Sequence, residues 1–156
     1  MTVTDTKSAL AANSAQEHLV HRNRLRLIGK AKSEGYTLRQ IADYLDISAT
    51  QVQRLAQRVL AQPEELEKTP REVIDERSAG VITDDEMMDT LAHWPYTFGE
   101  VPVDGDQPVD AYVKGSWDEV RRAYRRGLLS DDEWDVLFDS TRAARKAHRA
   151  AARGHE

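Results

Sequence analysis

The chain contains no cysteine. Disulfides, thiolate zinc sites and a cysteine nucleophile are therefore excluded, and the composition fits a reducing cytoplasm. No apolar run is long enough to span a bilayer, so no membrane segment is expected. Aromatic residues make up 6%, with only two Phe, which favours small helical units over a large β-sandwich. There is no Gly-rich phosphate loop and no nucleophile elbow. The five histidines show no metal-like pairing; His18 and His21 stand three apart on a helix, and no third ligand accompanies them. These absences argue against an enzyme, and no catalytic residue, metal or cofactor is expected. The N-terminus from Met1 to Ala12 is small and polar, with no hydrophobic signal core. Residues 1–14 are expected to form a disordered tail.

What is present suits a soluble chain of one medium or two small domains: 156 residues, 40% hydrophobic and 31% charged. The net charge of −5 conceals an asymmetry. Residues 1–60 carry nine Lys and Arg against five Asp and Glu, a net of +4. Residues 61–156 carry thirteen against twenty-two, a net of −9. A basic half joined to an acidic half permits a nucleic-acid partner despite the acidic total.

A first helix is expected from about Ala15 to Ser33, with Leu19, Leu25, Ile28 and Ala31 near one face and Gly35 as its stop. Arg22, Arg24, Arg26, Lys30 and Lys32 decorate the rest of it. Thr37-Leu38-Arg39-Gln40 then has capping-box form, and Ser48-Ala49-Thr50-Gln51 repeats it eleven residues later. Two helix starts so close require a very short helix, with Leu38, Ile41, Ala42 and Leu45 inward, and a tight turn at Asp46-Ile47. The next helix, about Ala49 to Leu60, buries Val52, Leu55 and Val59. Gln62-Pro63 closes the unit.

The stretch from Leu38 to Leu55 resembles the DNA-binding helix-turn-helix family, in its resolvase-type and sigma-factor-like versions. Ile41, Leu45, Ile47, Val52 and Leu55 fall where that motif places buried residues, and Ala42 where its helices approach. Asp46 stands where the family usually has Gly, and Asp tolerates the left-handed conformation better than most residues. The resemblance implies a recognition helix over 49–60 lying in the major groove of double-stranded DNA. Its outward residues are Thr50, Gln51, Gln53, Arg54, Gln57 and Arg58; Gln pairs with adenine and Arg with guanine. Thr37, Arg39 and Gln40 open the preceding helix, whose amides favour a phosphate. Arg22, Lys30 and Lys32 are candidates for further backbone contacts. Asp43 and Asp46 place negative charge near that face.

Beyond residue 63 the sequence repeats itself. Residues 69–91 and 116–138 match at an ungapped offset of 47: Thr69 to Val73 with Ser116 to Val120, and Ala79 to Glu86 with Arg126 to Glu133. Each copy reads as a helix, a Gly stop, a two-residue apolar turn and a capped helix. Asp84-Asp85-Glu86 and Asp131-Asp132-Glu133 sit in first helical turns, where acids complement the helix dipole, and they lack calcium-loop spacing. Gly-Val-Ile-Thr-Asp-Asp-Glu and Gly-Leu-Leu-Ser-Asp-Asp-Glu resemble the short hairpin of SHOCT-type domains, which implies an interaction or oligomerisation module. His93 to Gly115, rich in Pro, forms an irregular linker in which Asp104-Gly105 is a candidate hairpin turn. Trp94, Tyr96, Phe98, Trp117, Tyr124, Trp134 and Phe138 supply either a small core, the favoured reading, or a partner surface. Arg121, Arg122, Arg125 and Arg126 make a basic stripe, for which a solvated face is the favoured reading and contact with DNA, an acidic partner or the acidic first repeat are the alternatives. A last helix is expected over about Asp131 to Ala152.

The expected fold is all-α: a trihelical helix-turn-helix head over 15–62 and an acidic module with an internal repeat over 63–156. The leading functional expectation is a sequence-specific DNA-binding transcriptional regulator of bacterial or phage type, whose C-terminal module either forms a homodimer or senses a protein partner. A second is an antitoxin-like protein whose residues 63–156 neutralise a protein partner. A third is an adaptor whose helix-turn-helix does not bind DNA.

Overall fold

Thr37 and Ser48 set the frame of the N-terminal half. Each has extended backbone, and each side chain accepts a hydrogen bond from the backbone N–H three residues on. Gln40 and Gln51 return the bond to the cap residue's own N–H, at 2.9 and 3.1 Å. The computed structural model, which describes residues 3–100, 103–104, 107–108 and 114–154, places α1 at Val3–Ser33, α2 at Leu38–Leu45 and α3 at Ala49–Ala61. Gly35 ends the first helix in the left-handed region, and Asp46 does the same for α2 at φ 55° and ψ 46°. Ile28, Ile41, Ala42, Val52 and Ala56 form the core between the three helices, with Leu38, Leu45, Ile47 and Leu55 packed around it. Gly29 lets α1 and α3 approach closely: a Cβ there would lie 3.2 Å from Cγ1 of Val59.

α1 starts at Val3, so most of the segment expected to be a disordered tail is helical. The helix formed farther along propagates into residues that favour it, with Ala9, Ala11 and Ala12 among them and Asp5 in the first turn. Met1 and Thr2 lie outside the described residues.

After a 3-10 turn at Pro63–Leu66 come α4 (Pro70–Ser78), α5 (Asp84–Ala92), α6 (Trp117–Arg125), α7 (Asp131–Ser140) and α8 (Arg142–Arg153). The chain turns at Gly80 and Gly127, with φ of 78° and 75°. Thr83 with Glu86, and Ser130 with Glu133, close capping boxes at the starts of α5 and α7. α4 packs on α6 and α5 on α7. Val73, Ile74, Met87, Leu91, Trp117, Val120 and Leu137 form a second core. The aromatics mostly join it: Trp117 is buried, its ring stacks on Trp134 at 5.3 Å, and Tyr124 stacks on the same indole at 4.8 Å. Phe138 remains 37% exposed beneath the guanidinium of Arg145. Burial pushes the Tyr96 phenol well above its ordinary value, and its hydroxyl donates to the Leu91 carbonyl at 2.7 Å. Arg77 ties the hairpins together, donating to Glu133 at 2.9 Å and to the Leu128 carbonyl at 2.7 Å.

In the linker, β1 (Val103–Asp104) and β2 (Gln107–Pro108) pair antiparallel, Val103 opposite Pro108. The expected turn at Asp104-Gly105 includes Gly105, outside the described residues. The base of the linker is clasped instead by Thr97 and Ser116, each backbone N–H donating to the other's hydroxyl, at 2.9 and 2.8 Å.

The single C-terminal helix expected over 131–152 is broken. α7 stops at Ser140 and α8 begins at Arg142. Ser140 and Thr141 turn their hydroxyls back onto the carbonyls of Leu137 and Phe138, which competes with helical pairing. Arg145 then bonds both Thr141 and the Phe138 carbonyl.

α1 belongs to both halves. Its C-terminal part packs in the first core, while its opposite face lies along α4. There Arg22 reaches Asp75 at 2.9 Å and Arg26 grips Glu72, both acids being buried. A cut at residue 62 would take Arg26 from Glu72 and Arg22 from Asp75, leaving Asp75 its bond from Arg71. Among the described residues, no helix is long and apolar enough to cross a membrane.

Candidate nucleic-acid interface

The α2–turn–α3 unit is small and stiff. Both helices begin in closed capping boxes, and the Asp46 and Ile47 N–H groups bond carbonyls of α2. Val52 and Ala56 are buried, which fixes the rotation of α3 about its axis and turns its other face outward. Thr50, Gln51, Gln53, Arg54, Gln57 and Arg58 all lie exposed on α3. Thr37, Arg39 and Gln40 are exposed at the start of α2.

Exposure does not make these residues equivalent. Gln51 and Gln40 use their amide oxygens in the capping boxes. A Gln whose oxygen is held in this way has only its NH2 left, so the bidentate adenine pairing expected of Gln51 would require opening the box. Thr37 is likewise occupied, accepting from the Gln40 N–H. Arg58 turns toward the 3-10 turn, its Nε donating to Glu65 at 2.7 Å. The side chains of Thr50, Gln53, Arg54 and Gln57 make no hydrogen bond or ion pair with another described residue, and neither does that of Arg39.

Of the flanking cations, Arg22 is committed to Asp75 and faces α4 rather than solvent. Lys30 is exposed, 4.0 Å from Glu34, and Lys32 is exposed without a described partner. Asp43 and Asp46 are exposed, so negative charge does stand beside the α2–α3 turn.

The sequence reading passed over two tyrosines. Tyr36 and Tyr44 meet edge to face at 6.5 Å, and Tyr44 is 82% exposed. The signal was Tyr44's place off the Ile41–Leu45 stripe, a large apolar ring on a face otherwise polar. Comparison with known protein families, with curated proteins and with solved structures finds no match. Among the described residues no group of three or more acids and histidines is placed to hold a metal.

Proposed function

We propose that the chain is a sequence-specific DNA-binding transcriptional regulator of bacterial or phage type, with α3 entering the major groove. The observation that carries this reading is the outward row Thr50, Gln53, Arg54 and Gln57. These side chains stand exposed and unengaged on a helix whose opposite face is locked into a core. Such residue types, presented near a helix N-terminus on a capped two-helix unit, are what base-edge recognition requires. Gln53, Arg54 and Gln57 are the base-reading candidates, and Arg39 is a phosphate contact that fixes register. The test is an electrophoretic shift of the full chain on its own upstream DNA at several salt concentrations, with Arg54→Ala beside it. Specific binding that weakens with salt and is lost in the variant supports the reading. Binding indifferent to sequence and to Arg54 refutes it and leaves an adaptor role.

A second reading is favoured by the acidic first hairpin. Asp84, Asp85, Glu86 and Asp89 stand exposed along α5, and among the described residues the basic side chains paired with them are Arg77, at Asp84, and His93, at Asp89. That face suits a basic protein partner, as an antitoxin-like neutraliser would require. Asp85→Lys with Asp89→Lys in the full chain would abolish such binding and leave the DNA shift intact.

A further inference from the structure

Helix α1 carries an apolar stripe that no other described residue covers. Leu10 is 67% exposed, Val20 60% and Leu27 48%. Residues 5–10 are all exposed, so this first part of the helix gains little from intrachain packing. A helical overhang of this kind is marginal in water unless something packs on it.

Two hollows lie on the same side. One, of about 380 Å³, is lined by Val20 together with Asn13, Gln16, Glu17, His21 and Arg24. The other, of about 390 Å³, is an apolar groove between the end of α1 and α2, walled by Leu27, Ile28, Ala31, Ile41, Tyr44 and Leu45. Their spacing is self-complementary. Leu10 lies ten residues before Val20, about 15 Å along the helix. The groove at Ala31 lies eleven residues after it, about 16 Å. Glu17 and Arg24 flank Val20 at three and four residues, with opposite charges, and neither has a partner among the described residues.

We infer that α1 pairs antiparallel with α1 of a second copy of this chain about a two-fold axis at Val20, each Leu10 entering the other copy's α1–α2 groove and each Glu17 meeting the other's Arg24. One axis satisfies every element of the stripe: Val20 packs on Val20, the knob at Leu10 finds its hole, and both charge pairs form. An isologous contact of this kind closes on itself and stops at the dimer. It stands apart from the DNA reading, because none of its residues lies on α3.

Sedimentation velocity of the full-length chain tests it. The wild type sediments as a dimer. Glu17→Arg and Arg24→Glu each place like charges across the axis and raise the dissociation constant about tenfold or more. The double variant Glu17→Arg with Arg24→Glu restores the pairs and the dimer, which also shows that the single variants failed at the contact rather than in folding. Leu10→Asp dissociates the dimer as well. Three results would overturn the pairing: a wild type monomeric at about 100 µM, a dimer indifferent to both single reversals, or a double variant that stays monomeric. Arg54→Ala leaves sedimentation unchanged, so failure of the DNA reading and failure of this contact register in different measurements.

Discussion

Arg26 holds Glu72 by both carboxylate oxygens, Nη1 to Oε1 at 2.6 Å and Nη2 to Oε2 at 2.7 Å, and its Nε donates to the Leu66 carbonyl at 2.9 Å. This fork joins the first three helices to α4. Glu72 is only 4% exposed, so removing the guanidinium strands a carboxylate away from water. Arg26→Ala is expected to cost about 3 kcal/mol, the low end for breaking a buried pair, because Arg26 itself is part-open to solvent. Arg26→Lys keeps the charge but loses the fork, and should recover only part of that. Urea denaturation measures both.

The same pair gives a pH dependence. Burial alone would push the Glu72 carboxyl up, but the Arg26 hydrogen bonds and charge, with Arg22 and Lys68, outweigh it and hold the carboxyl below its ordinary 4.5. A lowered folded value means stabilisation that is full above the ordinary value and lost as pH falls through the folded one. Thermal melts between pH 7 and pH 2 should therefore show an acid-side loss of stability in the wild type. The loss should be shallower in Glu72→Gln, which starts lower and has no such proton to take up.

Gln51 and Gln53 are two residues apart and are expected to behave oppositely. Gln53→Ala and Arg54→Ala should each cost about 1–3 kcal/mol in operator affinity, with the melting temperature unchanged. Gln51→Ala opens the Ser48 capping box and should cost about 0.5 kcal/mol of stability. Its effect on DNA affinity should be smaller than that of Gln53→Ala. A shift assay and a melt on the same three variants decide it.

Gly115 and Gly29 make a second contrasting pair. A Cβ at Gly115 would sit 2.4 Å from the Thr97 carbonyl oxygen, which is backbone and accepts from the Trp117 N–H at 3.0 Å. Gly115→Ala must therefore open the base of the linker, at about 1–3 kcal/mol. At Gly29 the obstacle is a Val59 methyl at 3.2 Å, which can give way, and Ala favours the helix by about 1 kcal/mol. Gly29→Ala should melt near the wild type.

The parts legible in the sequence are those written in local chemistry. Thr37 with Gln40 and Ser48 with Gln51 mark helix starts within four residues, so α2, the turn and α3 could be placed to within a residue. Gly80 and Gly127, with the acids after Thr83 and Ser130, marked the hairpins in the same way. What depends on distant partners was not legible. Arg22 looked like a phosphate contact until Asp75, far along the chain, proved to hold it. Arg26 and Glu72 lie 46 residues apart, and nothing near either announces the other. The break at Thr141 was hidden because its cause, hydroxyls bonding back onto α7, is equally compatible with a continuous helix. Gln51 was assigned both to a cap and to a base although it has only one amide oxygen, a conflict visible beforehand that only the geometry resolved.

Asp46 is the one non-glycine residue with positive φ among those described, and it occupies the turn between α2 and α3. The left-handed conformation costs an ordinary side chain about 1 kcal/mol, with Asn and Asp least affected. Asp46→Ala should therefore lower stability by about that amount, and Asp46→Gly should leave it unchanged or raise it. Asp46→Asn separates conformation from charge, since Asn holds the turn equally well. If α3 docks in DNA, removing this carboxylate beside the phosphates should tighten binding several-fold at low salt, an effect that fades as ionic strength rises and screening shortens. A shift assay at two salt concentrations reads this directly. Equal affinity of Asp46→Asn and wild type at low salt would place the turn away from the phosphates and count against the proposed docking.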